Sequence, residues 1–475
     1  MRKNCSVNEF SRSFLEENFK EDSGIIGKAY YLNDYFEGLK KERKIKKISV
    51  IKEYKYIDKY YLRDYSRYYA EAFETLSSLS ERLHFFACDL DDEKLEKILK
   101  TGKKELLLGT NQENEHNQNR YLGYVTVKPV KNIVNSKLIG RSSLVPYPRK
   151  QGNNTRYYLS SEDHCSLYGI DLKIDSIPFH EQDIAVGACA SACLWMTQFV
   201  IKNWFNIPLH SLAEITELSR LKAPYTIPSP VFPSIGLTPA EIANYSEHLN
   251  LHFHFFGIED LSDYAQSLNL TISQNVMDEL LEDIIKAYFS AGFPIICGLR
   301  LYDHYDQNNR DEGYEGHAVL LTGFKKDRNG KIIRLYIHDD QIGPYCRTEF
   351  NSSKFDWKNQ WTDLRQIEKI FLTRIIIPAD PRVKLHFLLF FSHYYEDWKA
   401  NAYNAELNLY HNSDYKRYLW PKKFLKKEKI LSKNLPRYVW VVHLYENEEK
   451  KISRDIVFDA NTTLLRDKLM EVHFS

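Results

Sequence analysis

The order of helix and strand patterns in the middle of the chain is the feature that most constrains its fold. Helical signals come first, and they begin near Ala188, Ser211, Thr238 and Val276. The starts at Ser211 and Thr238 are predicted capping boxes, with Glu214 and Glu241 three residues later. Strand patterns follow, and they begin at Pro294, His317 and Ile332. A turn signal at residues 327–330 joins the last two strands and predicts a hairpin. Because helices precede strands instead of alternating with them, the sequence predicts an α+β domain here.

The length of the chain predicts more than one domain. At 475 residues it exceeds the size at which a single hydrophobic core stops growing, so two or three domains are expected. We expect an N-terminal mixed α/β region at residues 1–175, a central domain at residues 176–380 and a C-terminal extension at residues 381–475. The sequence assigns no role to either flanking region.

Composition narrows the classes of partner and compartment. Lysine and arginine (65) nearly balance aspartate and glutamate (64), so no net charge attracts the chain to nucleic acid or anionic lipid. The first residues lack the apolar segment of a secretory signal, and the longest apolar run, at residues 387–391, is far too short to span a membrane. Seven cysteines without a Cys-x-x-Cys pair fit neither a disulfide framework nor a structural zinc site. We expect a cytoplasmic protein without membrane contact, metal or cofactor.

A basic segment at residues 416–437 carries aromatic side chains between its charges, among them Tyr418, Trp420 and Phe424. Basic charge with interleaved aromatic rings is one arrangement that binds single-stranded nucleic acid. No nucleic-acid-binding motif accompanies it, and the whole chain is nearly neutral. We therefore interpret the segment as a solvated helix face with an apolar stripe, and nucleic-acid binding is the less favoured alternative.

Cys189 is the candidate nucleophile. The pattern places it in the first turn of the helix that begins near Ala188, where unpaired N–H groups and the helix dipole favour a thiolate. The side-chain amide of Gln182, a few residues upstream, can join the N–H of Cys189 in stabilising an oxyanion. Cys193, one turn later on the same helix face, is the alternative nucleophile. Its more ordinary interpretation is a small core residue.

A histidine and an aspartate on neighbouring strands complete the candidate set. His317 opens an apolar strand, and an imidazole has the pKa that a base for a thiol needs near neutral pH. Gly316 precedes it, which predicts a close approach of another backbone. Asp339 ends the next strand, where a carboxylate can orient the histidine ring. Asp340 is the alternative to Asp339, because successive strand residues face opposite sides and only one can point at His317. The spacing to Gly343 favours Asp339.

Residues 178–345 resemble the papain-like cysteine peptidases, particularly the bacterial branch that includes the bacteriocin leader peptidases. The matching residues are Gln182, Cys189, Gly316, His317, Asp339 and Gly343, with the order Cys, His, Asp along the chain. The helix start at residues 236–241 is also similar to that branch. The resemblance implies a papain-like fold, in which a helix-borne cysteine packs on an antiparallel sheet. It also implies a Cys189–His317–Asp339 triad with Gln182 at the oxyanion hole.

The expected function is cleavage of peptide or isopeptide bonds in a protein or peptide substrate, through an acyl-enzyme on Cys189. Two alternatives stay open. The same triad can perform acyl transfer or deamidation, since one fold supports several reactions. The central domain can also be an inactive papain-like module that only binds. The sequence does not distinguish these readings, and it specifies neither the substrate nor the oligomeric state.

Overall fold

The computed structural model describes most of the chain with its side chains. The described residues are 5–23, 26–72, 75–109, 120–132, 134–151, 154–183, 185–221, 231–233, 236–258, 274–306, 313–351, 356–358, 367–390, 404–446, 451–462 and 468–474. The four candidate site residues all lie within these ranges.

Helices are found in every third of the chain. Their bounds are α1 Arg12–Phe19, α2 Lys28–Arg43, α3 Lys59–Arg67, α4 Asp92–Thr101, α5 Glu105–Leu108, α6 Cys189–Phe205, α7 Leu212–Arg220, α8 Pro239–His248, α9 Gln274–Ser290, α10 Phe387–Phe390, α11 Asn412–Leu419 and α12 Lys427–Leu431. One turn of 3₁₀ helix, Tyr69–Glu71, follows α3.

The strands pair antiparallel wherever their register is described. Their bounds are β1 Cys5–Glu9, β2 Ser49–Tyr56, β3 Ser80–Phe86, β4 Tyr121–Lys131, β5 Lys137–Ile139, β6 Ser143–Leu144, β7 Lys150–Gln151, β8 Asn154–Tyr158, β9 Glu162–Leu167, β10 Ile170–Asp175, β11 His252–Gly257, β12 Ile295–Tyr302, β13 Tyr314–Lys326, β14 Ile332–Asp339, β15 Gly343–Asn351, β16 Asp356–Lys358, β17 Lys369–Ala379, β18 Asn404–His411, β19 Tyr438–Glu446, β20 Lys451–Asp459 and β21 Met470–His473.

The chain forms two compact units. Unit 1 comprises residues 1–245, 299–350 and 357–371, and unit 2 comprises residues 246–298, 351–356 and 372–475. These limits differ from the expected boundaries at residues 175 and 380. The division of the chain by role stays a prediction.

Unit 1 contains a sheet built entirely from the N-terminal part of the chain. Its strands follow the order β1-β2-β3-β4-β5, and β6 pairs with β4. The central strand β4 is buried along almost its whole length. A second apolar layer covers this sheet, because Leu95 and Ile98 of α4 pack with Ile51 and Phe86 in one core cluster.

A second set of strands in unit 1 follows the order β15-β14-β13-β8-β7. The β13–β14 hairpin pairs Leu320 with His338, and Gly330 closes the predicted turn with a φ of 81°. Gly343 begins β15 with a φ of 154°, and a Cβ there would lie 2.3 Å from the Tyr31 ring. Only glycine therefore allows this approach to α2.

Helix α6 lies against β13. Residues 190–201 of this mainly apolar helix are all buried, and Ala192, Trp195 and Met196 are 0% exposed, as expected for a helix inside a core. The helix ends at Asn206 in the left-handed conformation, just before Pro208. The neighbouring helix α7 begins with the predicted capping box, in which Ser211 and Glu214 bond each other's backbone N–H groups.

Unit 2 contains two antiparallel arrangements. Strand β11 pairs with the second half of β17, and β18-β19-β20-β21 form a four-stranded sheet. Helix α11 packs on that sheet through Tyr415 and Leu419, which are fully buried. Trp420, just beyond the helix, is 70% exposed. The basic segment therefore has the apolar stripe and solvated face that the sequence predicts.

An α+β class is confirmed at the level of mixed helices and antiparallel sheets. Within the described part of the chain, no helix combines the length and the apolar character that crossing a membrane requires.

Candidate functional site

Cys189 is the first residue of α6. The N-cap residue, Ala188, has no side chain that could bond the free N–H groups of the first turn. Cys189 is partly exposed, whereas Cys193 on the next turn is 0% exposed. The structure thus gives solvent access to the favoured candidate and buries the alternative.

The packing of α6 fixes the direction of the Cys189 side chain. Trp195 is fully buried, and its ring contacts the rings of Phe199 and His180 at centroid distances of 4.6 Å and 4.8 Å. Burial and interlocking rings of this kind restrict rotation and sliding of a helix. The sulfur is therefore held in one place at the helix N-terminus.

His317 lies between the sulfur and a carboxylate. Its side chain is 0% exposed, and its Nε2 atom lies 3.1 Å from Asp339 Oδ1. Cys189 is near enough to the same ring to contribute to raising its pKa. Asp339 Oδ1 also accepts the backbone N–H of Gln341 at 3.1 Å, which fixes the carboxylate. The fold therefore brings together Cys189, His317 and Asp339, which lie far apart in sequence.

Asp339 and Asp340 have different surroundings. Asp340 Oδ1 lies 3.8 Å from His317 Nε2, beyond hydrogen-bond distance, so Asp339 is the one that bonds the ring. His338 points away from the site. Its Nε2 donates to the Ile177 carbonyl oxygen at 2.9 Å, and its Nδ1 accepts from Tyr345 N at 3.1 Å.

Gly316 does not have the predicted role. A Cβ built on it would meet no atom within 4 Å among the described residues. The expectation of a close backbone approach was therefore wrong. The neighbouring residues of β13 from Tyr314 to Gly316 are exposed, and burial begins at His317, so the glycine lies at the open edge of the site.

Electrostatics favour a protonated His317. Burial acts to lower the pKa of the ring, but the Asp339 charge, the bond to Asp339 and the nearby Cys189 outweigh it and raise the pKa well above its ordinary value. A neutral imidazole whose pKa is raised in this way takes the proton of a neighbouring thiol, which gives a thiolate beside an imidazolium. The arrangement can therefore supply a thiolate near neutral pH.

Burial, strengthened by the Asp339 charge and opposed by His317, raises the pKa of Asp340 to about 7. An unfolded aspartate has a pKa of about 3.9, so the folded chain loses stability as pH rises between these values. Asp340→Asn should match the wild type near pH 4. Above pH 7 its free energy of unfolding should exceed that of the wild type by on the order of 4 kcal/mol. Urea unfolding across this pH range measures the difference.

Exposed Asp175 provides the matched control. Asp175→Asn should show no difference from the wild type that grows with pH, since its carboxylate is solvated. A pH-independent effect of Asp340→Asn would contradict the assignment of a destabilising buried carboxyl.

Gln182 directly precedes a tight turn that leads to the nucleophile. Asp183 N donates to Gly187 O at 2.9 Å, and Gly187 N donates back to Asp183 O at 2.7 Å. This pair joins Asp183, the residue after Gln182, to Gly187, which comes shortly before Cys189. The turn links Gln182 to the helix start over a short path, and the role of its amide as an oxyanion donor stays a prediction.

Two buried ion pairs hold the residues on either side of Gln182. Lys28 Nζ lies 2.8 Å from Glu181 Oε1, and Lys128 Nζ lies 3.0 Å from Asp183 Oδ2. Glu181 also accepts the Ile139 N–H at 2.6 Å. Both lysines come from the N-terminal part of the chain. That part of unit 1 therefore positions the candidate oxyanion loop.

Lys128→Met should destabilise the protein by about 3–5 kcal/mol, because it leaves the Asp183 carboxylate buried without its cation. Urea unfolding measures this loss. Lys100→Met is the matched control, since Lys100 pairs with Glu96 on the surface and should change stability by less than about 1 kcal/mol. Adding Asp183→Asn to Lys128→Met should restore part of the loss. Equal effects of the two lysine variants would contradict the account.

Sequence reasoning missed Lys28, Glu181, Lys128 and Asp183. No local signal identifies them, because each pair joins residues 55 or more positions apart. Lys128 stands at the end of an apolar strand pattern, and a lysine at such a position is normally predicted to be solvated. Its burial becomes visible only when the sheet is assembled.

His317, Asp339 and Asp340 also form the one cluster among the described residues whose ligand atoms could surround a metal ion. The three atoms lie within 4.8 Å of one another, and all three residues are buried. The bond from His317 to Asp339 and the nearby Cys189 also suit the ring to proton transfer.

A scan of the chain against models of known protein families finds no match, and a search among curated proteins finds none either.

Proposed function

We propose that this chain is a papain-like cysteine hydrolase that cleaves peptide or isopeptide bonds through Cys189. The observation that carries the proposal is the His317 ring, which bonds Asp339 through Nε2 and interacts with the nearby Cys189 thiol. A nucleophile, a base and an orienting carboxylate in this order activate a thiol. The apolar helix that carries Cys189 and lies against β13 supports the papain-like fold, which is part of the proposal.

In the proposed reaction, His317 accepts the Cys189 proton and the sulfur attacks the substrate carbonyl carbon. The N–H of Cys189 and the amide of Gln182 stabilise the negative charge that forms on the carbonyl oxygen. The C–N bond then breaks, and the imidazolium donates its proton to the leaving amine. Water, deprotonated by His317, attacks the thioester, and release of the carboxylic acid restores the thiol.

Digestion of a peptide library derived from a bacterial proteome tests the proposal. The full chain should generate new peptide termini at a subset of bonds, detected by mass spectrometry, and Cys189→Ala should generate none. Cys193→Ala is the matched control and should retain cleavage, because Cys193 is buried in the core of α6.

Hydroxylamine in the same digest separates the alternatives. An acyl-enzyme is captured by this amine as a hydroxamate, so hydroxamates at the cleaved bonds support the thioester intermediate. Hydroxamates without hydrolysis in water alone would favour the acyltransferase. If the chain neither cleaves nor forms hydroxamates, and Cys189 reacts no faster than the other cysteines with a thiol reagent, the hydrolase proposal fails and the binding module stands. A cytoplasmic location stays a prediction.

A further inference from the structure

A cavity of about 780 Å³ in unit 1 adjoins the candidate site. Gln182 and Asp340 line it, and each is a neighbour of the proposed machinery: Gln182 at the oxyanion loop and Asp340 next to Asp339. Its size falls in the range of sites that hold a small ligand or a substrate side chain. The cavity is therefore placed where a substrate bound at Cys189 would extend.

The wall of this cavity is mainly apolar, and it runs from the surface into the interior. Val134 is 75% exposed, whereas Val130 and Leu138 are 6% and 3% exposed. Leu76, Pro129 and Pro233 add further apolar surface. An uncharged, bulky group gains the most free energy when it leaves water and contacts such an apolar wall.

The two carboxylates that flank Gln182 in the wall are neutralised within the protein. Glu181 is paired with Lys28, and Asp183 is paired with Lys128. Lys131 bonds the side-chain oxygen of Asn135 at 2.8 Å and is exposed, so its charge stays in contact with solvent. Glu181 and Asp183 therefore offer no uncompensated charge that would attract a charged side chain.

Asp340 supplies a polar contact at the inner end. It is 1% exposed, and within the described part of the chain neither of its carboxyl oxygens has a hydrogen-bond partner. A buried polar atom without a partner costs free energy that a ligand can recover by bonding it. The N–H of a peptide group is a donor suited to this carboxyl.

We propose that this cavity selects the substrate: it binds a bulky apolar side chain, such as that of leucine or phenylalanine, while Asp340 accepts the N–H of an adjacent peptide group. The inference rests on the proposed function and names its substrate class. Burying such a side chain is worth about 1.5–3 kcal/mol, so an apolar peptide should bind about tenfold or more tightly than its alanine counterpart.

Protection of Cys189 from iodoacetamide tests the inference on the full chain. N-acetylated tripeptide amides with a central Phe, Leu, Ala, Asp or Lys are added, and site-specific alkylation is followed by mass spectrometry. Phe and Leu peptides should slow alkylation of Cys189 at about one-tenth of the concentration that the Ala peptide needs. Asp or Lys peptides that protect as well as Phe and Leu peptides would overturn the inference.

Ala72→Trp tests the location. Ala72 lines the cavity, is exposed and has an extended backbone, so it accepts a larger side chain. In this variant the Phe peptide should protect Cys189 no better than the Ala peptide does. Protection is measured as the ratio of the Cys189 alkylation rates with and without peptide. Ile57→Trp is the control, since Ile57 is 62% exposed and does not line the cavity. A preference that survives in Ala72→Trp would place the side chain elsewhere and contradict the inference.

The two proposals fail differently. If iodoacetamide alkylates Cys189 no faster than Cys165 in the absence of peptide, the Cys189 thiol is not activated and the proposed function is rejected. If Cys189 reacts rapidly but Phe and Ala peptides protect equally, the function stands and the cavity does not select apolar side chains.

Discussion

His317→Ala is expected to lower the rate of Cys189 alkylation by iodoacetamide at pH 6.5 by about 100-fold. The His317 ring interacts with the nearby Cys189, and its raised pKa keeps the ring protonated at this pH. Without that charge, an ordinary thiol is about 1% ionised at pH 6.5, and only the thiolate reacts. The measurement is the initial rate of alkylation at each cysteine, read by mass spectrometry after digestion.

Cys165 is the internal reference for this experiment. It is partly exposed, and burial raises the pKa of its thiol, so its slow alkylation should not depend on His317. His164→Ala is the matched variant, because His164 bonds Glu162 on the surface. Alkylation of Cys189 that is unchanged in His317→Ala, relative to Cys165, would remove His317 from the mechanism. His317→Gln repeats the test with a side chain closer in size, should the alanine variant fold poorly.

Asp339→Asn is expected to slow peptide cleavage by about 10²–10⁴-fold. Asp339 bonds Nε2 of His317, and an amide can neither stabilise the imidazolium nor fix the tautomer that leaves the other nitrogen for the sulfur. The rate of appearance of new termini from the peptide library, compared with the wild type at pH 7, measures the loss.

Asp340→Asn separates the two neighbouring carboxylates. Asp340 lies 3.8 Å from the ring and makes no hydrogen bond to it, so its replacement should slow cleavage far less than Asp339→Asn. A larger loss in Asp340→Asn would exchange their assigned roles. Urea unfolding of both variants distinguishes lost chemistry from lost stability.

Sequence reasoning predicted those parts of the fold that local signals determine. The capping boxes at Ser211 and Thr238 are confirmed, with reciprocal bonds to Glu214 and Glu241. The long helix α6 begins at Cys189 as predicted, because an apolar run of this length has few other solutions. Such signals act within a few residues, which is why the chain itself reveals them.

The arrangement of the site depended on longer-range contacts. The sequence favoured Asp339 over Asp340 by its spacing to Gly343, and the structure shows Asp339 within hydrogen-bond distance of the ring. That glycine matters for another reason, since it allows Tyr31 of α2 to pack against the chain and to donate to Pro344 O at 2.6 Å. No pattern near residue 340 predicts that partner.

The N-terminal region illustrates the same limit. It was expected as a separate region of unknown role, yet Lys28 and Lys128 bond the residues that flank Gln182. A buried ion pair leaves no periodic trace in sequence, because each partner alone resembles a solvated charge. Packing of the whole unit determines which charges are buried, and therefore which residues hold the oxyanion loop.

Bridging by 1,3-dibromoacetone tests the central claim most directly, which is that the Cys189 sulfur faces the His317 ring. This reagent alkylates twice, and its short span joins only a thiol and an imidazole that lie a few ångströms apart. The account predicts a digest in which the Cys189 peptide is covalently joined to the His317 peptide, and no such product from His317→Ala. A bridge from Cys189 to another histidine, or Cys189 alkylated without any bridge, would contradict it.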